Sequence, residues 1–593
     1  SLNEDQRLAH DLGLDSLAIS ELIIWISQEF GFMQADTDSM ITIADCLLAA
    51  TGHAIASDKS MIKPVPAKWF KGKICDLPLT VPEGEKITDV FIRVFNASPS
   101  EVLTADQISG TKTCRQIITG ITALKYLIKK LPGEQIGIML PASAGTCTVY
   151  LAVLFSGKTP VMFNWTLGTR SLLHCLNLTQ VSVILTSKIL TTNLELQNVS
   201  LDSIKDKFVF LEDLGAGLTR MQKIISFIKS YGKGRSLLKG KITDTAVILF
   251  TSGSENLPKA VPLTHNNLLA NVRDVVNGLC LKKTDSLFGM LPPFHSFGLT
   301  GTLILPLCTG LKTVYYPNPT QSLFIARLIE AYRVSIIVGT PTFLNGIVRA
   351  ADPAQLKSLN IAFSGAEKCP ESVYEALQLS CPELKILEGY GITERSPVVS
   401  FNRPENAKPF TIGKVAESLD YAIVNLENSI RVSTGSQGML LVRGPSVFKD
   451  YLKFSGSSPF VTFENRTWYK TGDLIKEDKD KILTFCGRLK RFVKLGGEMI
   501  SLPAIEHVLL PYYSSEDDTS PVIAVEAVSH EDHPEIILFT TMTTDRNVVN
   551  RQIREGGLSP LHNIRRIIKV DSIPVLGTGK TDYRALKETK REL

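Results

Sequence analysis

Apolar residues in this chain gather in short runs separated by longer stretches with a three-to-four repeat. Ile136–Leu140, Val181–Leu185, Ala246–Phe250 and Ile336–Gly339 are short and mostly apolar, as suits strands of a parallel sheet covered on both faces. Cys114–Lys130 and Leu323–Tyr332 carry the spacing of amphipathic helices. Strand and helix patterns alternate from about residue 86, which predicts a large α/β body, and beyond roughly residue 487 the pattern changes to a smaller α+β unit. The first fifty residues read differently. After Asp15-Ser16, the positions Ile19, Leu22, Ile23, Ile26 and Phe30 line one helix face, and Gly31 stops that helix. A second short helix is expected over Ile43–Ala50. Thr51–Glu85 mixes Pro64, Pro66, Pro78 and Pro82 with Gly and Lys, the composition of a linker laid over the following domain.

Composition changes this picture only by exclusion. The 593 residues leave room for roughly three to five domains of ordinary size. With 44% apolar and 21% charged residues, the chain is neither mainly disordered nor collagen-like. Ten cysteines stand singly with no C-x-x-C pair, which argues against a zinc ribbon or disulfide framework and favours a reducing compartment. No run of about 18 apolar residues or signal peptide is present, so a cytoplasmic protein is expected.

The net charge of +5 becomes informative once divided. Residues 1–50 hold nine acids and one base, a net of −8, which leaves +13 on the remainder. Opposite charge on two parts of one chain favours their encounter. No dense Lys/Arg run with interleaved aromatics supports nucleic-acid binding, which is not expected.

Candidate chemistry begins at Leu249-Phe-Thr-Ser-Gly-Ser-Glu-Asn-Leu-Pro-Lys259, where a buried strand runs into a turn rich in hydroxyls and small residues. Backbone N–H groups and hydroxyls can converge there on phosphate oxygens, and the lysine adds positive charge. The spacing is not that of the G-x-x-x-x-G-K-[ST] loop, and such a turn alone says little. Further segments follow in order: Met290-Leu-Pro-Pro-Phe-His-Ser-Phe-Gly298, Ser364-Gly-Ala-Glu-Lys368, Leu387-Glu-Gly-Tyr-Gly-Ile-Thr-Glu394, Trp468-Tyr-Lys-Thr-Gly-Asp473, Gly487-Arg-Leu-Lys-Arg491 and Gly577-Thr-Gly-Lys580.

In this order and at these separations the segments resemble the acyl-adenylate-forming superfamily of acyl-CoA synthetases, luciferases and adenylation domains, over about residues 86–593. Their wording is most similar to bacterial acyl–acyl-carrier-protein synthetases, including the ligase half of the system that reacylates lysophospholipids. The resemblance implies a large multi-sheet α/β domain over 86–489 and a small mobile α+β domain over 490–593. It implies that Thr251, Ser252, Gly253, Ser254 and Lys259 hold the ATP triphosphate. Gly365, Ala366, Glu367 and the turn Gly389, Tyr390, Gly391 would line the adenine pocket. Thr393 and Glu394 would bind phosphate and Mg²⁺, a carboxylate bridging metal and phosphate oxygens being a common arrangement. Asp473 would accept from the ribose hydroxyls with help from Arg488. Lys580 would offset the repulsion between carboxylate and α-phosphate in the transition state, and Lys490 would be the hinge between the two half-reactions. His295 stands where amino-acid-activating relatives carry an aspartate for the substrate ammonium, so an acid without an amino group is expected.

The first 52 residues carry a second resemblance. Asp11-Leu-Gly-Leu-Asp-Ser16-Leu17, the acidic helix and Ile41-Thr-Ile-Ala-Asp45 are similar to an acyl carrier protein, which implies 4′-phosphopantetheine on Ser16 at a helix start. Residues 53–85 would be the linker. Fifteen residues precede Ser16 where carrier proteins have a whole helix, so this partial helical carrier domain is expected to belong to a longer protein. The rest would hold that helix and, by analogy, an acyltransferase or membrane domain that brings the enzyme to the inner face of the membrane.

Three departures from the motifs stand out: Asn256 and Ala260 replace common glycines, and Arg395 follows Glu394 where relatives carry a small residue. The activity expected is ATP- and Mg²⁺-dependent activation of a fatty acid and its transfer to a carrier-protein thiol, in cis or in trans. An acyl-CoA ligase with a vestigial carrier segment and a non-catalytic nucleotide-binding scaffold are the alternatives.

Overall fold

The computed structural model describes Gln6, Leu8, Leu22, Ile26 and residues 42–51, 62–71, 76–167, 169–196, 199, 201–251, 257–426, 428–495, 498–513, 521–530, 533–559, 562–575, 581–583 and 585–586. They fall into two compact units. One gathers residues within Ser1–Ser252, Leu257–Asp420 and Gly444–Gly456, the other those within Tyr421–Arg443 and Ser457–Leu593.

Two sheets build the first unit. Among the described residues, the larger has nine strands in the order Lys414–Val415, Val398–Phe401, Lys385–Gly391, Ile361–Ser364, Ile336–Gly339, Ser286–Gly289, Lys312–Tyr315, Val102–Asp106, Gly110–Thr113. Its centre is parallel from Lys385–Gly391 to Val102–Asp106, and antiparallel strands close both edges. The second has six strands, Phe208–Phe210, Ile184–Thr186, Gln135–Ile138, Thr159–Met162, Thr245–Phe250 and Ala260–Thr264, parallel except for the last pair. Four-residue buried strands such as Ile336–Gly339 and Ile361–Ser364 leave no polar face, because helices cover both sides. Phe288, Ile337 and Ala362 pack with Leu328, Ile329, Leu344 and Ile347 of the helices Ser322–Tyr332 and Pro341–Ala350. The helix Cys114–Lys130 starts at a capping box, in which the Thr113 hydroxyl accepts from Gln116 N–H and the Gln116 side chain accepts from Thr113 N–H.

The linker lies on the larger sheet's layer where it is described. Trp69, buried in the short helix Ala67–Phe70, donates its indole N–H to the Tyr332 carbonyl at 2.9 Å, and Leu79 N–H donates to Leu281 O. The helix Ile43–Ala50 forms as its pattern predicts. Leu22 and Ile26 are helical and Ile26 is buried, whereas Ile19, Ile23, Phe30 and Gly31 lie outside the described residues.

The second unit holds a five-stranded sheet of Asp420–Val424, Gln437–Arg443, Arg466–Glu477, Phe460–Phe463 and Leu483–Arg488. A small α+β part follows. The hairpin Ile523–His530/His533–Thr540 takes Arg566–Lys569 as a third, parallel strand, and the helices Leu502–Tyr513 and Arg546–Glu555 pack on it through Ile505, Leu509, Val549 and Ile553. Large and small parts of a mixed α/β protein are therefore both present.

Candidate active site

In the first unit, the candidate residues cluster where strands end. The hairpin of Thr245–Phe250 and Ala260–Thr264 pairs Phe250 with Ala260, and just beyond it Thr251 N–H donates to Lys259 O at 3.0 Å. Lys259 N–H in turn donates to Thr251 Oγ1 at 3.1 Å, so these two residues close the neck of the segment between them. Ser252, Gly253 and Ser254 lie outside the described residues. The Lys259 ammonium lies 4.6 Å from the Tyr451 ring and 4.2 Å from the Phe454 ring, an aromatic seat for a cation.

Gly365 and Gly389 lie at the carboxyl ends of adjacent parallel strands, where open α/β sheets take their ligands. Gly365 N–H donates to Gly339 O, and Ala366 holds a left-handed backbone with φ +73°. Glu367 accepts from the Thr342 hydroxyl at 3.2 Å. A Cβ on Gly389 would stand 2.5 Å from the Phe363 ring, and one on Gly391 would stand 2.5 Å from the Pro397 carbonyl. The expected glycine turn is instead the end of the strand Lys385–Gly391, paired antiparallel with Val398–Phe401, and only glycine lets that strand end approach its neighbours so closely. Tyr390, between the two glycines, is half-buried.

Thr393 and Glu394 sit in the short turn Thr393–Arg395 that follows. Glu394 is buried, and Tyr451 donates its hydroxyl to Glu394 Oε1 at 2.7 Å. Tyr451 therefore joins the carboxylate to Lys259. The Ser296 and Thr393 hydroxyls approach to 3.5 Å, which brings the His295 segment beside the same turn. His295 is half-buried, with its ring 4.6 Å from Phe294, which packs edge-on against Trp165.

An internal cavity of about 40 Å³ opens beyond Phe297, walled by Val272, Leu287, Leu305, Val338 and Phe363. Its one hydroxyl, on Thr300, is already bonded to Ser396 O at 2.6 Å. The segment Leu299–Ile304 that walls it is a π-helical turn, a wide turn often found at functional sites.

The candidates Asp473 and Arg488 lie in the second unit. They are paired across neighbouring strands, with Arg488 Nε 3.3 Å from Asp473 Oδ1. Asp473 is buried at the left-handed Gly472, and its N–H donates to Thr471 Oγ1. Lys490 lies in the turn Leu489–Arg491. Lys580 and Ser16 are outside the described residues.

Over residues 122–452, more than half of its length, the chain matches the family described as AMP-binding enzyme. The chain belongs to that family. This AMP-binding enzyme is 28% identical over 420 residues to the long-chain-fatty-acid–CoA ligase of Bacillus subtilis (strain 168), covering 65% of this chain and 73% of the relative. It is 27% identical over 359 residues to 4-coumarate–CoA ligase 3 of Arabidopsis thaliana, where the match covers 58% of this chain and 63% of the relative's length. The solved structure of O-succinylbenzoate coenzyme A synthetase (MenE) from Bacillus subtilis, in complex with ATP and magnesium ion, superposes with a TM-score of 0.69 at 19% identity, over 84% of this chain and 99% of that one. This likeness establishes the mixed α/β adenylate-forming fold, with its large N-terminal and smaller C-terminal parts.

Three further residues adjoin the candidates of the first unit. Glu388, in the same strand one residue before Gly389, is buried and accepts from the Tyr374 hydroxyl at 2.9 Å and Cys369 N–H at 3.2 Å. Burial pushes its carboxyl up from the usual range, against the pull of those donors. Arg395 is wholly buried, and no described residue hydrogen-bonds Nε, Nη1 or Nη2. Burial lowers its pKa to about 9, opposed by the charges of Asp274 and Tyr390. Tyr451 could not be singled out from sequence, because its contact with Glu394 spans 57 positions and follows no local pattern.

Magnesium suits this arrangement as a nucleotide-borne ion. Among the described residues no group of three metal-ligating side chains exists. Glu394 offers one carboxylate, which matches an ion completed by phosphate oxygens and water.

Proposed function

We propose that this AMP-binding enzyme joins a fatty acid to a phosphopantetheine thiol in two half-reactions. The acid's carboxylate attacks the α-phosphorus of ATP, forming acyl-AMP and releasing pyrophosphate. The thiolate then attacks the acyl carbonyl of that mixed anhydride, and AMP leaves. The thiol is most simply the one carried on Ser16, and the product would feed phospholipid acylation.

Within that scheme Thr251 and Lys259 hold the triphosphate, Gly365 to Glu367 and Gly389 to Gly391 take the adenine, and Asp473 with Arg488 takes the ribose. Glu394 and Thr393 would hold Mg²⁺, which when bound neutralises phosphate charge. Lys580 offsets the meeting of two anions in the first step and must withdraw before a thiol can enter. Lys490, as hinge, allows that withdrawal.

The observation that carries the choice of acid is the cavity beyond Phe297. Its wall offers no carboxylate for an ammonium and no free hydroxyl for a polar substituent. An unsubstituted hydrocarbon tail is the group such a wall accepts without leaving a buried polar atom unpaired. A long tail needs more room than this cavity has, and the π-helical turn Leu299–Ile304 forms part of the wall that would have to move.

Acid-dependent exchange of labelled pyrophosphate into ATP tests the first half-reaction. Exchange with saturated fatty acids that collapses in Lys580→Ala is expected, and none with any acid, despite ATP binding, would leave a nucleotide-binding scaffold. The curated relatives are named as CoA ligases, which favours coenzyme A as the second reading of the thiol. Ser16→Ala separates the two, since it abolishes self-loading and spares acyl-CoA synthesis.

A further inference from the structure

The helix Arg220–Ser230, in the first unit, shows the wrong face to water. It buries Ser226 and Ser230, at 2% and 0% exposure, and presents Met221, Ile224, Phe227 and Ile228 to solvent at 65%, 54%, 52% and 63%. A surface helix ordinarily does the reverse. Its orientation is well anchored. A capping box joins Thr219 and Gln222 at its start, and at its end the Arg115 guanidinium lies 3.9 Å over the Tyr231 ring. Lys229 also donates to the Tyr126 hydroxyl at 2.6 Å, so the helix is fastened to Cys114–Lys130.

The charge on this helix and the one beneath it has one sign. Residues 214–243 contain Arg220, Lys223, Lys229, Lys233, Arg235, Lys239 and Lys241 and no acid. The underlying helix Cys114–Lys130 adds Arg115, Lys125, Lys129 and Lys130, again with no acid. Lys125 records the crowding: burial first, then the like charges of Lys129 and Lys229, push its pKa down. Among the described residues no helix is long and apolar enough to cross a membrane, so any attachment through this face would be peripheral.

We propose that the helix Arg220–Ser230 docks this enzyme on an anionic bilayer. Met221, Ile224, Phe227 and Ile228 enter the boundary between headgroups and acyl chains, and the surrounding lysines and arginines meet lipid phosphates. The alternative occupant is the acidic carrier segment of net −8. Charge would draw it to the same cations, but charge alone leaves four large apolar side chains standing in water. The inference does not depend on which thiol accepts the acyl group.

Co-sedimentation of the full chain with vesicles tests it. Binding is expected to phosphatidylcholine vesicles containing phosphatidylglycerol, to be absent with phosphatidylcholine alone, and to weaken as salt is raised. The double variant Ile224→Gln/Ile228→Gln should weaken binding at least about tenfold, and each of Lys223→Gln and Lys233→Gln about fivefold. Exchange activity with a short soluble acid should stay unchanged, which also shows that the variants fold. A wild-type chain that stays in the supernatant with anionic vesicles overturns the proposal. It is equally overturned if the lysine variants slow loading of an added carrier protein in lipid-free buffer while vesicle binding is unaltered, since the face then belongs to the carrier.

Discussion

Tyr451 donates its hydroxyl to Glu394 at 2.7 Å while its ring lies 4.6 Å from the ammonium of Lys259. One side chain thus sets the spacing between the carboxylate proposed for Mg²⁺ and the lysine proposed for the triphosphate. Tyr451→Phe keeps the ring and removes the hydrogen bond. A bond to a charged group contributes about 1.5–3 kcal/mol, so pyrophosphate exchange should fall by about tenfold or more. The Mg²⁺ concentration needed for half-maximal rate should rise with it. Unchanged rate and Mg²⁺ dependence would show that Glu394 needs no such tether.

Arg395 presents the opposite case, a buried cation without a described hydrogen-bond partner. Replacing buried ionic groups by apolar side chains that pack equally well is often neutral or stabilising, by up to about 1–4 kcal/mol, and Asp274, whose charge reaches Arg395, keeps its own bonds to Ser418. Arg395→Met should therefore raise the melting temperature of the ligand-free enzyme. It should also lower exchange activity, since Arg395 adjoins Glu394 in the turn Thr393–Arg395. Higher stability with undiminished exchange would make Arg395 a packing residue only.

Strands and helices with strong patterns were legible at the level of single residues. Cys114–Lys130, Ile43–Ala50 and Ile336–Gly339 form with the bounds their periodicity predicts. Val181–Leu185 shortens to Ile184–Thr186, although the Val183 carbonyl still accepts from Gly137 N–H. The motif residues of the first unit gather near the ends of adjacent strands, because each motif spans only a few neighbouring positions. What they could not reveal are contacts between distant positions, such as Tyr451 with Glu394 or Arg491 with Glu526. At Arg220–Ser230 the apolar residues face outward and the serines inward, the reverse of an ordinary surface helix.

Gly301 offers a test of the acyl site. A Cβ there would meet Phe297 at 3.8 Å and Val338 at 4.0 Å, ordinary contacts that the fold can accept. A larger side chain would then project toward the cavity that Gly301 lines. Gly301→Leu should shift the preferred acid to shorter chains in the exchange assay, with the rate on the shortest acids preserved. An unaltered chain-length profile would place the tail elsewhere.

His265 ties two helices together in a single tautomer. Its Nδ1 accepts from Ile87 N–H at 3.1 Å, and its Nε2 lies 3.0 Å from the Thr243 carbonyl, to which it donates. Protonating Nδ1 would break the first bond, and burial pushes the pKa down to about 4 from the usual 6.5. The unfolded chain therefore takes up this proton at higher pH than the folded one. The histidine's contribution is present above about pH 6.5 and is lost as pH falls toward 4, on the order of 3 kcal/mol in all. His265→Gln should flatten that part of the melting temperature against pH, measured beside wild type so that the carboxylates cancel. Parallel curves would refute the assignment.

Tyr583 stands three positions after Lys580 and fixes the chain there. Its hydroxyl donates to Glu506 at 3.0 and 3.1 Å from the two oxygens, and its ring lies 3.5 Å from the Arg491 guanidinium. Arg491 binds Glu506 at 2.7 Å, Glu526 at 3.3 Å and the Val525 carbonyl at 2.8 Å, and it occupies the same turn as Lys490. One half-buried cluster therefore anchors both the proposed hinge and the segment that follows the proposed catalytic lysine. Tyr583→Phe keeps the stacking and leaves Glu506 short of a donor, a loss of about 1–3 kcal/mol. If Tyr583 positions Lys580, kcat for exchange falls while KM for ATP stays near wild type. A lower melting temperature with unchanged kcat would confine Tyr583 to holding the small domain together, because a lysine whose placement did not depend on that anchor would lose nothing when it loosens.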